Sequence, residues 1–251
     1  MDKRKVIFKD LGIIDYKAAW DYQEELLQQN VAVKTAIRKA QEVIVAAHDS
    51  PLTTHDLPLA TTNYFLFCEH PAVYTLGKSG NISNVLMSEA ELAENDIQFF
   101  NTNRGGDITF HGLQQIVGYP IVDLENFYTD IGKYLRNLEE VIILTIAAYG
   151  IKGERSGGET GVWIEPGVPG RERKICAIGV RCSRWITMHG FALNVNTDLS
   201  YFNNIIPCGI QNKQVTSIER ELGHKVDYDE VKGKIRVNFE KVFEANQSIN
   251  N

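Results

Sequence analysis

The 251-residue sequence contains few cysteines and no motif that pairs them. Its four cysteines are Cys68, Cys176, Cys182 and Cys208, and none of them forms a C-x-x-C arrangement. Their spacing does not match a zinc-binding or thioredoxin-like motif. We therefore expect free thiols, no bound metal and a reducing compartment.

Long apolar runs and an excess of positive charge are also missing. No stretch is apolar for long enough to span a bilayer, and the first ten residues carry two acids, unlike a signal or transit peptide. The 26 lysines and arginines against 32 aspartates and glutamates give a formal net charge of −6. That balance argues against broad nucleic-acid binding. We expect a cytoplasmic protein with neither a membrane nor a nucleic acid as its partner.

The composition, 43% hydrophobic and 23% charged, is typical of a globular protein with a sizeable core. Predicted strands outnumber helices in a mixed order, which favours an α+β fold: a mixed, largely antiparallel sheet packed by helices. We predict a single catalytic domain over residues 1–251. Its parts are an N-terminal helical segment (5–60), a motif-bearing core (61–222), a C-terminal helix (224–245) and a frayed end (246–251).

Local patterns predict the main elements inside this domain. Asp15 is placed to cap a first helix, and a second helical segment is predicted over 34–47. The near-continuous apolar run 63–69 predicts a central strand buried on both faces. Apolar residues that step by three and four predict a core helix over 129–149. Asp227 is expected to cap the last helix.

A glycine-rich stretch, Arg104 to Gly112, has two interpretations. Its glycines would let backbone N–H groups approach a ligand, and Arg104 could pair with an anion. Alternatively, the stretch is a hairpin in which Arg104 is solvated and His111 has a structural hydrogen bond. The sequence favours neither.

Cys208 stands between a proline and a glycine, a setting that places a thiol on a constrained loop. A cysteine nucleophile needs a proton acceptor, because a free thiol is mostly protonated at neutral pH. Candidates are His111, His189 and Lys174, the last only if burial or neighbouring cations favour its neutral form. Strand alternation would place Cys176 on the same face as Lys174. Cys176 and Cys208 therefore both remain candidate nucleophiles.

Four motifs recur in this order in one family: RGGDITFHG at 104–112, KICAIGVR at 174–181, HGFALNV at 189–195 and PCGI at 207–210. With them the chain resembles the lipoyl(octanoyl) transferases, the octanoyl-[acyl-carrier-protein]:protein N-octanoyltransferases that begin protein lipoylation. The match runs from about Tyr64 to Ser217. The resemblance implies the fold of the lipoate and biotin protein ligases, and no cofactor.

The resemblance also implies site residues and partners. It implies a catalytic dyad of Cys208 and Lys174, which would leave Cys176 without a role. Octanoyl-acyl carrier protein would acylate Cys208, and a lysine of a 2-oxoacid dehydrogenase lipoyl domain or of the glycine-cleavage H protein would accept the chain. The implied acyl-binding residues are Arg104, Gly105, Gly106, Asp107, Ile108, Thr109, Phe110, His111, Ala177, Ile178, Gly179, Gly190, Phe191 and Ala192.

Two further features qualify the resemblance. The family usually has Pro-Gly-Gln after the His-Gly pair, whereas Leu113-Gln114-Gln115 follows Gly112 here. The five basic residues between Arg171 and Arg184 form a local patch that could dock an acidic carrier. The alternatives are an ATP-dependent lipoate or biotin ligase and a carrier-binding pseudoenzyme; retention of Lys174 and Cys208 argues against the pseudoenzyme.

Overall fold

The computed structural model describes residues 4–46, 60–206 and 214–247. Within these ranges nine strands form a main sheet: β1 (Lys5–Ile13), β2 (Asn63–Glu69), β6 (Gln115–Ile121), β7 (Glu154–Ser156), β8 (Glu159–Ile164), β9 (Arg173–Ser183), β10 (Ile186–Asn194), β11 (Gln214–Val215) and β12 (Asn246–Gln247). A small sheet contains β3 (Val73–Leu76), β4 (Gln98–Asn101) and β5 (Ile108–His111). The helices are α1 (Tyr16–Ala46), α2 (Glu89–Glu94), α3 (Ile131–Ala147), α4 (Ile218–Leu222) and α5 (Tyr228–Phe243).

The main sheet is mixed and largely antiparallel, which confirms the predicted fold class. Its order is β12-β1-β2-β6-β10-β9-β8-β7, with β11 paired to the start of β9. Among the described strands of the main sheet, only the pairs β1–β2, β1–β12 and β9–β11 are parallel. The apolar run of β2 is central, between β1 and β6. Phe65 and Leu66, which are adjacent in β2, are fully buried and belong to core clusters on opposite faces of the sheet.

One helix, α1, covers one face of the sheet. Its start is fixed by Asp15, whose carboxylate accepts the Ala18 N–H at 3.1 Å. The prediction of two helical segments is wrong: α1 is continuous for 31 residues. Neither glycine nor proline occurs between Tyr16 and Ala46, so nothing in the backbone interrupts it. The apolar stripe of α1 buries Tyr16, Ala19 and Leu27.

Helices α3 and α5 cover the opposite face. Asp130 caps α3 and Asp227 caps α5, each by accepting a backbone N–H three residues on. The predicted core helix over 129–149 is thus confirmed with ends two residues shorter. Both helices contribute apolar side chains to one cluster with the sheet. None of the described helices combines the length and the apolar character needed to cross a membrane.

The end of the described chain differs from the prediction. Fraying was expected from residue 246, but Asn246 and Gln247 form β12 and pair in parallel with Lys5 and Val6. The N–H of Asn246 donates to the Arg4 carbonyl at 3.1 Å. The N-terminal segment contributes the nine-residue strand β1 to the sheet. Strands from both ends of the described chain therefore lie side by side.

Candidate active site

Three of the four motif segments, 104–112, 174–181 and 189–195, meet around one cavity of about 430 Å³. Its wall combines the loop before β5, the middle of β9, the middle of β10 and the side chain of Lys174. The predicted site residues that line it are Arg104, Gly105, Gly106, Asp107, Ile108, Thr109, His111, Lys174, Ala177, Ile178, Gly179, Gly190, Phe191 and Ala192. Segments up to 88 residues apart in sequence therefore line one cavity.

Phe110 is the exception among the predicted binding residues. Its ring is 1% exposed and stacks on Tyr201 with centroids 4.6 Å apart. It belongs to the core of the small sheet, together with Tyr74 and Phe202. Phe110 therefore supports the loop from behind, and the structure does not place it at the cavity wall.

The cavity floor is made of small residues at paired positions. Gly190 lies opposite Gly179, and Ala192 opposite Ala177, on adjacent antiparallel strands. Cross-strand partners share a face, and positions two apart return to it, so these four residues form a shallow trough. A Cβ at Gly190 would lie 2.1 Å from the Gly118 carbonyl oxygen. The glycines are thus required by close backbone packing as well as by the cavity.

Arg104 lines the cavity and is not solvated, so the interpretation that leaves it in solvent is wrong. It is buried, and its Nη2 donates to the Thr75 carbonyl at 2.5 Å, to Thr75 Oγ1 at 2.9 Å and to the Asp107 carbonyl at 2.8 Å. Its Nη1 donates to the Gly105 carbonyl at 3.0 Å. The guanidinium therefore fixes the shape of the glycine-rich loop, as several backbone carbonyls converge on one donor fork.

The two histidine candidates for the general base are buried and poorly suited to it. Burial, with a smaller contribution from the Arg104 charge, lowers the pKa of His189 to about 3. Burial also lowers the pKa of His111 well below its usual value, helped by His70 and Arg104. A general base works best with a pKa near the operating pH. Lys174 therefore remains as the candidate base.

Lys174 lies at the cavity wall between two strands. Trp163 of β8 is its cross-strand partner on one side and Val215 of β11 on the other. Its Nζ lies 4.5 Å from the centre of the Trp163 ring, an arrangement that attracts an ammonium group. Gly161 lies beside it and is required by the backbone, since a Cβ there would lie 2.6 Å from the Cys176 carbonyl oxygen. A register shift between Val162 and Trp163 breaks regular alternation here.

Cys176 is a poor rival nucleophile. Its side chain is fully buried in the core cluster under α3 and α5, and it is absent from the cavity wall. Burial raises the pKa of its thiol, which opposes thiolate formation. Its Sγ lies 3.6 Å from the Ala177 carbonyl oxygen, a weak local contact. Cys176 therefore lies in the core and Lys174 at the cavity wall, although strand alternation predicted that both would be on one face.

Cys208 lies outside the described residues, but the chain on both sides of it is defined. Ile206, two residues before it, donates its N–H to the Asn84 carbonyl at 2.8 Å. Val215, seven residues after it, is paired with Lys174. Phe202 and Val215 both line the cavity. Residues that line the cavity therefore stand on both sides of Cys208 in the sequence.

The replacement of the family's Pro-Gly by Leu113-Gln114 leaves a tight turn. Gln114 has a φ of +60°, in the left-handed region that glycine adopts without strain. Compensating contacts surround it: its N–H donates to Glu69 Oε2 at 2.6 Å, and its side-chain oxygen accepts Asn196 Nδ2 at 2.9 Å. Hydrogen bonds thus offset the conformational cost of Gln114.

The basic stretch between Arg171 and Arg184 is not a free positive patch. Arg173 pairs with both carboxylate oxygens of Glu221, at 2.6 and 2.7 Å, and with Glu165 at 2.5 Å. Arg181 pairs with Glu24 of α1 at 2.7 Å. Most of this charge is therefore compensated within the chain, which weakens the hypothesis that the patch docks an acidic carrier.

Several cavity residues were missed by sequence reasoning. They are Tyr16, Gln115, Tyr119, Ile131, Leu135, Glu159, Thr160, Val180, Asn194, Phe202 and Val215. Gln115 and Asn194 had a usable signal, because each is an amide within an apolar strand. Ile131 and Leu135 belong to α3, which was predicted only as a core helix, and they supply apolar surface to the cavity wall. In the described part of the chain, no cluster of three or more His, Cys, Asp or Glu residues is placed to hold a metal ion.

This fold is that of the lipoate-protein ligases. A bi-partite lipoate protein ligase from Thermoplasma acidophilum aligns with a TM-score of 0.64 at 14% identity, over 100% of this chain and 87% of that one. Lipoate-protein ligase A bound with ATP aligns with a TM-score of 0.64 at 12% identity, over 99% of this chain and 88% of the other. At such identities the likeness concerns the fold.

Sequence comparison identifies the family. Residues 15–240 match the lipoyl protein ligase A/B catalytic domain, and the chain belongs to this family. It is 57% identical to an octanoyltransferase from Flavobacterium johnsoniae, over 96% of this chain and 98% of the relative. It is 54% identical to an octanoyltransferase from Christiangramia forsetii, over 96% of this chain and 97% of the relative.

Proposed function

We propose that this chain is an octanoyltransferase that carries an octanoyl group on Cys208 between two proteins, with Lys174 as its catalytic partner. The supporting observation is that Lys174 and three separate motif segments line a single cavity with an apolar, small-residue floor. Such a cavity suits an alkyl chain, and the similarity to octanoyltransferases over nearly the whole chain agrees with this activity.

The first half-reaction transfers the octanoyl group from an acyl carrier protein thioester to Cys208. Lys174 takes the thiol proton, and the thiolate attacks the carbonyl carbon to give a tetrahedral intermediate. That intermediate collapses to an acyl-enzyme thioester and releases the carrier as its thiolate, which takes the proton from Lys174. The ammonium group that Lys174 carries between these two proton transfers lies over the Trp163 ring, with Nζ 4.5 Å from the ring centre.

The second half-reaction transfers the chain to a lysine amine of the acceptor protein. The neutral amine attacks the Cys208 thioester, and the thiolate leaves as the amide bond forms. Lys174 takes the proton that the attacking amine loses and returns it to the Cys208 thiolate, which restores the starting enzyme. We propose the lipoyl domains of 2-oxoacid dehydrogenases and the glycine-cleavage H protein as acceptors, since protein lipoylation is the family's reaction.

Intact-protein mass spectrometry tests the proposal. The chain is incubated with octanoyl-acyl carrier protein alone, and we expect a mass gain of one octanoyl group. Cys208→Ser should abolish the gain, whereas Cys176→Ser should retain it because Cys176 is in the core. Lys174→Ala should fold and slow the gain by at least about a hundredfold, the scale of general-base catalysis. A label that follows Cys176 would contradict the proposal.

The alternative of an ATP-dependent ligase is tested in the same assay. Octanoyl transfer to a purified lipoyl domain is followed with octanoyl-acyl carrier protein as donor, with and without ATP. The proposed transferase requires no ATP, because the donor thioester is already activated. Transfer only from free octanoate and ATP would support the ligase. Carrier binding without any acyl transfer would support the pseudoenzyme.

A further inference from the structure

A buried polar chain joins the glycine-rich loop to the strand beside Lys174. Arg104 Nη2 donates to Thr75 Oγ1 at 2.9 Å, and Thr75 Oγ1 lies 3.3 Å from His111 Nε2. His111 Nδ1 lies 2.9 Å from Gln115 Oε1. Each link thus connects two side chains that are less than 9% exposed.

This series of side-chain hydrogen bonds continues across the sheet to Thr216, the residue after β11. Gln115 Nε2 donates to Asn194 Oδ1 at 2.8 Å, and Asn194 Nδ2 donates to the Thr216 carbonyl at 2.9 Å. The Thr216 N–H in turn donates to the Lys174 carbonyl at 2.9 Å. Asn194 therefore ties the residue after β11 to the sheet, one hydrogen bond from the Lys174 backbone, alongside Glu221, which accepts Thr216 Oγ1 at 2.6 Å.

The orientation of the Gln115 side-chain amide determines which group donates and which accepts in each of these hydrogen bonds. Gln115 Nε2 also donates to the Phe110 carbonyl at 3.1 Å, so its Oε1 must face the His111 ring. The Nδ1 of His111 consequently carries the proton, and Nε2 is free to accept from Thr75. Donation runs in one direction from Arg104 to Thr216, which lets successive bonds reinforce one another.

We propose that Asn194 is a positioning residue for Lys174, and that it acts by holding β11 against the start of β9. This inference rests on the proposed catalytic role of Lys174. Two-residue β11 pairs only with β9 in the described chain, so it has little support of its own. Val215 of this strand lies opposite Lys174 and lines the cavity. Loss of the Asn194 anchor would release the backbone that flanks Lys174.

The test compares Asn194→Asp with Asn196→Asp. Asn194→Asp removes the amide donor and directs a carboxylate at the Thr216 carbonyl. Asn196 is a matched control, because it is also buried and donates through Nδ2, but to Gln114 and Val226 on the other side of the turn. Hydrogen exchange of the Val215 and Thr216 amides and steady-state octanoyl transfer are measured on both full-length variants and on wild type.

We expect Asn194→Asp to speed exchange at Thr216 at least tenfold, to lower kcat about tenfold and to leave KM for the acyl carrier within about twofold. The pH–rate profile should also shift, since the environment of Lys174 changes. Asn196→Asp should change none of these beyond twofold. If Asn194→Asp does not fold, Asn194→Ala gives the same readouts without the added charge.

The outcomes separate this inference from the proposed function. If Lys174→Ala abolishes transfer while both Asn194 variants retain the wild-type exchange, kcat and pH profile, Asn194 does not position Lys174. If Lys174→Ala retains full activity, the proposed function fails first. Faster exchange at Thr216 with unchanged kcat would overturn the inference, since the strand would be released without consequence for catalysis.

Discussion

Trp163 lies against Lys174, and the cation–π contact that its ring makes can be tested separately from the volume that the side chain fills. Trp163→Phe retains an aromatic face, whereas Trp163→Leu has similar volume to phenylalanine but no such face. We expect transfer by the leucine variant to be about fivefold slower than by the phenylalanine variant, equivalent to the ~1 kcal/mol typical of a cation–π contact. Single-turnover acylation of Cys208 measures it. Equal rates in both variants would mean that the ring acts only as a spacer.

Gln114 tests how the turn tolerates a residue other than glycine. Gln114→Gly relieves the positive φ but loses the bond to Asn196, whereas Gln114→Ala loses the bond and retains the strain. We expect the glycine variant to be more stable than the alanine variant by about 1 kcal/mol, the usual difference at a left-handed position. Urea unfolding of both variants gives the value. An alanine variant as stable as the glycine variant would show that the backbone there is not strained.

At the scale of elements, the Arg173–Glu221 pair ties α4 to the start of β9. Hydrogen bonding to Arg173 is the main cause that lowers the pKa of Glu221. A carboxylate with a lowered folded-state pKa adds stability above its unfolded pKa of about 4.3, and that stability is lost as pH falls through the folded value. We expect Arg173→Gln to cost about 2 kcal/mol at pH 7.

The pH dependence provides the check on that pair. The stability difference between wild type and Arg173→Gln, from urea unfolding, should shrink as pH falls below about 4. Arg171→Gln is the control, because Arg171 is exposed and pairs only with Glu165 in the described chain. It should change stability by less than about 0.5 kcal/mol at any pH. A difference for Arg173→Gln that is constant with pH would contradict the ion-pair account.

Element types were predictable because each has a local cause. Asp15, Asp130 and Asp227 mark helix starts by accepting backbone N–H groups, and the apolar run of β2 marks a central strand. Pairing between distant parts of the chain was not predictable in the same way. Nothing local indicates that Asn246 lies beside Lys5, since β12 is only two residues long and its partner strand is at the other end of the described sequence.

The candidate site was predictable as a set of motifs but not as geometry. Glycines and the motif lysine are visible in the sequence, and they do line one cavity. The role of Arg104 depends on carbonyls from Thr75 and Asp107 that converge only in the fold. The same holds for the polarity of the Gln115–Asn194 link, because a strand pairing creates it.

At the scale of the whole molecule, buried histidines should make the fold sensitive to acid. Burial lowers the pKa of His70 to about 4 and of His189 to about 3, and it lowers the pKa of His111 as well. Unfolded histidines titrate near 6.5, so below that pH the unfolded chain binds more protons than the folded one. The free energy of unfolding therefore decreases as the pH is lowered. Three such groups give a slope of about 4 kcal/mol per pH unit near pH 5.

Urea unfolding between pH 7 and 4.5 measures this slope. His70→Gln removes one of the three protons, and we expect the slope to fall by about one third. His224→Gln is the matched control, because His224 is an exposed histidine outside the core. It should leave the slope unchanged. A wild-type stability that stays flat from pH 6.5 to 5 would contradict the assignment of neutral, buried imidazoles.

The small-residue floor has a consequence for redesign of the acyl chain that the enzyme accepts. Gly179 and Gly190 cannot be enlarged, because a Cβ at either position would meet a backbone carbonyl oxygen within 2.7 Å and push strands or loop apart. Ala177 and Ala192 already carry a Cβ and line the same cavity. Under the proposed function, selection for shorter acyl donors would find its solutions at these two alanines and leave the glycines untouched.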